Sequence, residues 1–256
     1  MLPSKRVLVL ADLHCGSGVG LAPPEYWRDK FRPFQEPLWN WYAEEVKSLG
    51  PVDLLVVNGD AVDGEGRAET IDHLTTDTEE QAEIAAACIK QVKAKKVLLT
   101  YGTPFHTVGS HSYENLVAKA LGAPIADTQF VSVNGRRFSF RHVVGASGTP
   151  YTQGTQAYKE AIRDLIQAVD NEAEPAEYII RSHVHNCFVA ASPERTAITT
   201  PCLEIPVSVF GRRCRAWRYH VGFLEFVVSS DGLVWYDIGA HIMPLKLTRP
   251  REYVEV

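Results

Sequence analysis

The chain has 256 residues, with 26 Lys+Arg against 31 Asp+Glu and a net charge of -5, so it can bury a large core and has no global basic field to recommend a long nucleic acid. Its five cysteines, Cys15, Cys88, Cys187, Cys202 and Cys214, are odd in number and lack C-x-x-C spacing, which argues against a disulfide framework or zinc ribbon and for a reducing cytoplasm. The apolar run after Lys5 and Arg6 meets Asp12 too soon for a signal peptide, nothing approaches the ~20 apolar residues of a membrane helix, and no linker interrupts the chain; residues 1–256 are expected to be one domain without a membrane partner.

Residues 7–11 are a continuous apolar run, the mark of a strand buried on both faces, and end in Asp12-Leu13-His14. Residues 15–33 hold Gly16, Gly18, Gly20, Pro23, Pro24 and Pro33 with Tyr26, Trp27 and Phe31; too broken for an element and too aromatic for a spacer, they are expected to be a loop capping the site. From Pro37, Leu38, Trp39, Tyr42, Val46 and Leu49 recur at helical spacing up to Gly50-Pro51. The next strand, 54–57, runs into Asn58-Gly59-Asp60-Ala61-Val62-Asp63-Gly64 and delivers a carboxylate to its own carboxyl end, where open α/β sheets build ligand sites.

Thr78-Glu79-Glu80-Gln81 has the capping-box pattern for a helix through Ile84, Cys88 and Val92. A strand at 97–101 leads into Gly102-Thr103-Pro104-Phe105-His106, and a short helix from about 112 to 121 closes at Gly122. This β-α-β-α-β-α order implies a parallel sheet covered by helices. Residues 130–142 alternate around Asn134-Gly135, a hairpin signal that opens a second, antiparallel layer. A long helix follows with Tyr158, Ala161, Ile162, Leu165, Ile166 and Val169 on one face. A strand at 178–180 ends in Ser182-His183-Val184-His185, and residues 188–191, 196–200, 219–228 and 233–238 read as further strands.

Past these strand ends stand Asp12 and His14, Asp60, Thr103 and His106, His142, and His183 and His185. Carboxylate oxygen with imidazole nitrogen suits Mn, Fe, Zn or similar ions rather than Ca or Mg alone, and the ligands are too many for one tetrahedral site. Two ions sharing a bridging carboxylate is the natural arithmetic. Any single Asp-x-His or His-x-His is usually a solvated loop; five strand ends carrying such residues together are not. His73, His111, His220 and His241 lack that setting and read as surface or satisfied structural histidines, and Cys15 and Cys187 as small buried thiols.

Asp12-x-His14, Gly59-Asp60-x-x-Asp63-Gly64, the Gly-containing turn bearing His106, His142 and Ser182-His183-Val184-His185 resemble, in order and strand placement, the motifs of calcineurin-like metallophosphoesterases. That resemblance implies an α/β fold, a mixed-sheet β-sandwich flanked by helices in α/β/β/α layers. It implies two divalent ions, Mn foremost with Fe, Zn or Ni as alternatives. Asp12, His14, Asp60 and His185 would hold the first, and Asp60, an Asn, His142 and His183 the second. The chain departs from the family at one turn: Thr103 stands where the Asn ligand belongs, and His106 comes two places late. Thr103 is thus expected as a poorer ligand or a support, and His106 as the acid that protonates the leaving oxygen or as a substitute ligand. Asp63 is expected to orient a ligand or form the turn.

The implied reaction is phosphoester hydrolysis by a metal-bound hydroxide across two ions about 3.5–4 Å apart, by a phosphodiesterase or phosphatase. The alternatives are a nuclease and a non-catalytic protein-binding scaffold of the same fold. Arg212, Arg213 and Arg215, beside Trp217 and Tyr219, suit phosphate contacts and base stacking, although a solvated basic turn or subunit contact fits equally. The oligomeric state is not legible.

Overall fold

Leu8 and Leu10 pack to one side of the first strand and Val7 and Val9 to the other, and the split recurs as Leu55 and Val57 against Leu54 and Val56. Strands apolar on both faces must be covered on both. The computed structural model describes residues 3–65, 73–103, 107–108, 111–146, 152–206 and 219–245. In chain order the elements are β1 (Lys5–Leu10), α1 (Arg32–Leu49), β2 (Val52–Asn58), α2 (Thr78–Ile89), β3 (Ala94–Thr100), β4 (Thr107–Val108), β5 (His111–Ser112), α3 (Glu114–Leu121) and β6 (Ile125–Ala126). Then come β7 (Gln129–Val133), β8 (Arg136–Arg141), α4 (Gln153–Asp170), β9 (Tyr178–Arg181), β10 (Phe188–Ala191), β11 (Thr196–Thr199), β12 (Leu224–Val228) and β13 (Val234–Tyr236).

The first sheet has the order β13-β12-β1-β2-β3-β6, in which β1, β2, β3 and β6 are parallel and β12 and β13 extend the edge antiparallel. The second has the order β10-β11-β9-β8-β7. Val7, Val9, Leu54, Val56 and Leu98 meet Phe138, Phe140, Ile180 and Ile198 in the core between the sheets. Leu38, Tyr42, Ile84 and Val117 bring α1, α2 and α3 onto the outer face of the first sheet, and Ala157 and Ala161 bring α4 onto Ile179 and Ala197 of the second. The layers are therefore α/β/β/α, as the motifs implied.

Several details differ from the sequence reading. The second layer is mixed, because α4 carries the chain across so that β8 pairs parallel with β9 and β9 with β11. The Asn134-Gly135 hairpin forms as expected, with positive φ at both turn residues. α1 starts at Arg32 rather than Pro37: Pro33 occupies the first turn, where its missing N–H goes unused, and Pro37 is accommodated inside the helix. The stretch expected as a cap is interior in its first part and exposed at residues 24–25 and 28–30. Residues 15–22 are buried, Tyr26 and Trp27 pack against the helix-side core, and Trp27 Nε1 donates to the Ala22 carbonyl at 2.8 Å.

The capping box of α2 does not form. Asp77 caps instead, accepting from Glu79 N at 2.9 Å and Glu80 N at 3.3 Å, while the Gln81 amide turns away to bond Gly64 N and O at 2.8 Å each. The apolar face of α4 is not its buried face: Ala157, Glu160, Ala161 and Asp164 are buried, while Tyr158, Ile162, Ile166 and Val169 are exposed. Alanine permits close approach to the sheet, and both buried carboxylates find partners, Glu160 in Arg181 at 3.1 Å and Asp164 in Ala176 N at 3.0 Å. Among the described residues no helix is long and apolar enough to cross a membrane.

Candidate metal centre

The loops after β1, β2, β8 and β9 meet at one end of the sandwich. Asp12, His14, Asp60, His183 and His185 have φ of 51°, 45°, 50°, 74° and 53°, a left-handed backbone that costs roughly 1–3 kcal/mol per residue unless its surroundings impose it. They do impose it here. Asp12 N donates to Gly59 O at 3.0 Å, His14 N to Asp60 O at 3.1 Å, Leu203 N to Asp12 O at 3.0 Å, and His183 N to Asp12 Oδ2 at 3.2 Å. Gly59 and Gly102 are required for space as well: a Cβ on Gly59, at φ 79°, would strike the His142 ring, and one on Gly102 would overlap Asp60 Oδ1.

Beneath the loops a polar latch joins the two sheets. Asn58 Nδ2 donates to Ser182 Oγ at 2.7 Å and to Arg141 O at 3.2 Å, Thr100 Oγ1 donates to Asn58 Oδ1 at 3.0 Å, and Thr200 Oγ1 donates to Ser182 Oγ at 2.8 Å. The Asn58 carbonyl also takes the Nδ1–H of His142 at 2.7 Å. That bond turns the Nε2 edge of His142 inward.

Two donor sets result. Asp12, His14 and His185 form one and Asp60, His142 and His183 the other, each with ligand atoms within 4.8 Å of one another. In the first, His14 Nε2 and His185 Nε2 are 3.2 Å apart, and Asp12 Oδ1 is 3.1 Å from His185 Nε2 and 4.0 Å from His14 Nε2. Two nitrogens each bound to a tetrahedral ion at about 2.0–2.1 Å stand roughly 3.3–3.4 Å apart. In the second, His142 Nε2 is 2.9 Å from Asp60 Oδ2. The sets are contiguous, since Asp12 Oδ1 is also 3.8 Å from His142 Nε2. Asp12 Oδ1 and His142 Nε2 are both buried and crowded by the other donor atoms, an arrangement that suits a shared cation.

The protonation of the metal-free site agrees. Burial alone would lower His14, but the Glu204 and Asp63 carboxylates lift it to about 10. Burial likewise opposes His142, which Asp60 and Asp12 raise to about 9. His185 is raised well above its ordinary value by Cys202 and Asp12 against the same burial. Burial would push the Asp12 carboxyl up, yet His185 and His142 hold it low. Protons stand on these imidazoles where a cation would otherwise sit. The donor chemistry, the crowding and the charge all fit divalent ions of the nitrogen-accepting kind.

No protein-family model matches the chain, and no curated protein does. Solved structures resemble it faintly. Vacuolar protein sorting 29 from Cryptosporidium parvum is 10% identical over 92% of this chain and 97% of its own, at a TM-score of 0.48. An archaeal phosphodiesterase is 9% identical over 91% of this chain and 99% of its own, at 0.45. The NAD nucleotidase of Haemophilus influenzae is 11% identical over 91% of this chain and 49% of its own, at 0.43. At such scores these likenesses bear no weight. The chemistry rests on the chain's own donor sets.

All six expected ligands are brought together; of the supporting residues, Thr103 and Asp63 lie within the described part. Thr103 serves Asp60: its N donates to Asp60 Oδ1 at 2.7 Å, and its hydroxyl lies 3.2 and 3.1 Å from the two carboxylate oxygens. Asp63 lies 3.2 Å from His14 Nδ1, orienting that ring, and 3.7 Å from His73 Nδ1. His220 and His241 are structural, the first accepting from Cys187 N at 2.8 Å and the second bonded to Glu45 at 2.9 Å. Cys15, Cys88, Cys187 and Cys202 are free and buried. His106, Arg212, Arg213, Arg215, Cys214 and the His111 side chain lie outside the described residues.

Sequence reasoning missed Glu114 and Glu204. Glu114 accepts from Ala61 N at 3.2 Å and from Gly102 N, tying the Asp60 and Thr103 loops together, and burial and Asp60 push its carboxyl up to about 7. Glu204 Oε2 is 3.7 Å from His185 Nδ1. Neither stands at a telling spacing from a ligand.

Proposed function

We propose that the chain is a metal-dependent phosphoesterase, a phosphodiesterase or phosphatase of the calcineurin-like kind. The observation that supports it best is the pair of buried, contiguous donor sets, each of one carboxylate and two imidazoles. Asp12, His14 and His185 would hold one divalent ion and Asp60, His142 and His183 another, with Asp60 as the shared carboxylate and Mn as the expected metal. Such ions polarise a phosphoryl oxygen and make water nucleophilic at neutral pH.

The chain's own residues supply orientation and access. Asp63 and the Asn58 carbonyl bond the Nδ1 atoms of His14 and His142, so that both rings present Nε2. Thr103 fixes the rotation of the Asp60 carboxylate. His183 is the half-buried member of the sets, and its pKa is lowered by burial, so it stays neutral on the side from which a substrate can enter. The proton for the leaving oxygen is assigned to His106.

The test is metal content and hydrolysis of aryl phosphomonoesters, aryl phosphodiesters, cyclic nucleotides and oligonucleotides with added Mn, for the wild type and Asp60→Asn. Metal-dependent turnover that disappears in a folded Asp60→Asn protein is the expected result. A wild type that takes up no metal on reconstitution and hydrolyses nothing in the panel would leave the scaffold reading in its place.

A further inference from the structure

Tyr158, Ile162, Ile166 and Val169 of α4 are 48%, 41%, 54% and 66% exposed, and the half-buried Leu165 joins them into one stripe. Eighteen residues make a helix about 27 Å long, and this stripe runs along most of it. The other exposed large apolar side chains, such as Phe130 on β7 and Trp235 on β13, stand on different elements. Contiguous apolar surface calls for a partner where scattered residues do not.

The packing of α4 fixes which way the stripe faces. Glu160 reaches Arg181 of β9, and Gln156 lies beside Gly145, which places one flank of the helix over β9 and the end of β8. Gly154 lies against the Val189 carbonyl of β10, on the opposite flank. At 100° per residue Tyr158 and Leu165 follow Gly154, and Ile162, Val169 and Ile166 climb from there toward solvent. β10 is an edge strand paired only with β11 among the described residues, so the stripe overhangs a side of the molecule where no described element lies beyond.

We propose that this flank of α4 is the contact of a two-fold homodimer in which the helix packs antiparallel on its own copy. Charge at the rim favours a second copy over an unrelated partner. Lys159 stands near one end of the stripe and Asp170 near the other; both are exposed, and neither makes an ion pair among the described residues. An antiparallel copy centred near Asp164 sets Ile162 against Ile166 of the second copy and Lys159 beside Asp170 of the second copy, and the two-fold repeats both contacts. Parallel helices would instead oppose Lys159 to Lys159 and Asp170 to Asp170. Arg163, close to the axis, is already neutralised by Glu160. Self-complementarity of this kind is what an isologous interface requires. One helix flank is small beside the roughly 800 Å² per partner of a standard interface, so the dimer is weak and concentration-dependent.

Sedimentation velocity of the full chain over a wide concentration range, metal content being followed in parallel, tests this. The wild type should pass from monomer to dimer, and Ile166→Lys, at an exposed position, should remain monomeric with its helical signal and metal content unchanged. Lys159→Asp should weaken association about fivefold or more through two repelling pairs, and Lys159→Asp with Asp170→Lys should restore it. A wild type that stays monomeric throughout, a dimer indifferent to Ile166→Lys, or a double variant as weak as Lys159→Asp would each overturn the proposal.

Discussion

Behind the first donor set stand carboxylates, Asp63 at 3.2 Å from His14 Nδ1 and Glu204 at 3.7 Å from His185 Nδ1; behind the second stand neutral groups, the Asn58 carbonyl on His142 and Thr103 on Asp60. Asp12, His14 and His185 are all buried, whereas His183 is half-buried. A carboxylate behind an imidazole makes it a stronger ligand, and a closed site gives up its ion slowly. Each set offers one carboxylate and two imidazoles, yet they should differ in affinity, the first retaining its ion and the second exchanging it. Support adds to ligand count here, since sharing Asp60 would give the first ion a fourth protein ligand.

Deleting one imidazole from each set is the largest perturbation. His185→Ala and His183→Ala should each lose turnover and each keep one ion, but the ion left in His183→Ala should bind about 10–100-fold more tightly than the one left in His185→Ala. Calorimetric titration with Mn measures both, and equal residual affinities would erase the distinction. Removing the supports is milder. Glu204→Ala should weaken the first ion by about tenfold or more, while Thr103→Val, which keeps the backbone N–H on Asp60, should weaken the second by less than about tenfold. The reverse order in competition with a chelator would mean that access, not support, governs retention.

The smallest effect serves as a control at the far end of β2. There Asp53 accepts from Lys95, Arg6 N and Lys5, and these bonds hold its carboxyl at about 2. A depressed carboxyl adds stability above its unfolded pKa near 4, and that stability is lost as pH falls toward about 2. Asp53→Asn should therefore lower the melting temperature slightly at neutral pH and less in high salt, converge with the wild type near pH 2, and leave metal affinity alone. A gap that persists in strong acid would point to packing rather than charge.

The two donor sets and the parallel sheet were legible because each depends on local pattern, a strand followed closely by Asp or His. What escaped depends on convergence. Glu114 and Glu204 acquire roles only once β2, β3 and β9 bring their loops to one end of the sandwich, and Gln81 abandons the capping box because Gly64 offers it two bonds that no pattern reveals. For α4, periodicity identified residues that share a face but not which face meets the sheet. Arg181 and Arg195 settled that by receiving Glu160 and Asp164, so that a face with two carboxylates went under and an apolar one stayed out.

Left-handed backbone at Asp12, His14, Asp60, His183 and His185 also limits what could be read from the descent of this chain. Asp, Asn and His are the non-glycine residues most tolerant of that conformation, and β-branched or bulky replacements are disfavoured there with or without metal. A lineage that gave up catalysis could thus keep Asp and His at these positions for conformational reasons alone. His142 has no such constraint, since its φ is not positive and its ring spans from the Asn58 carbonyl to the second donor set. Among relatives that have drifted, a histidine retained at that position would be the better mark of a living metal site.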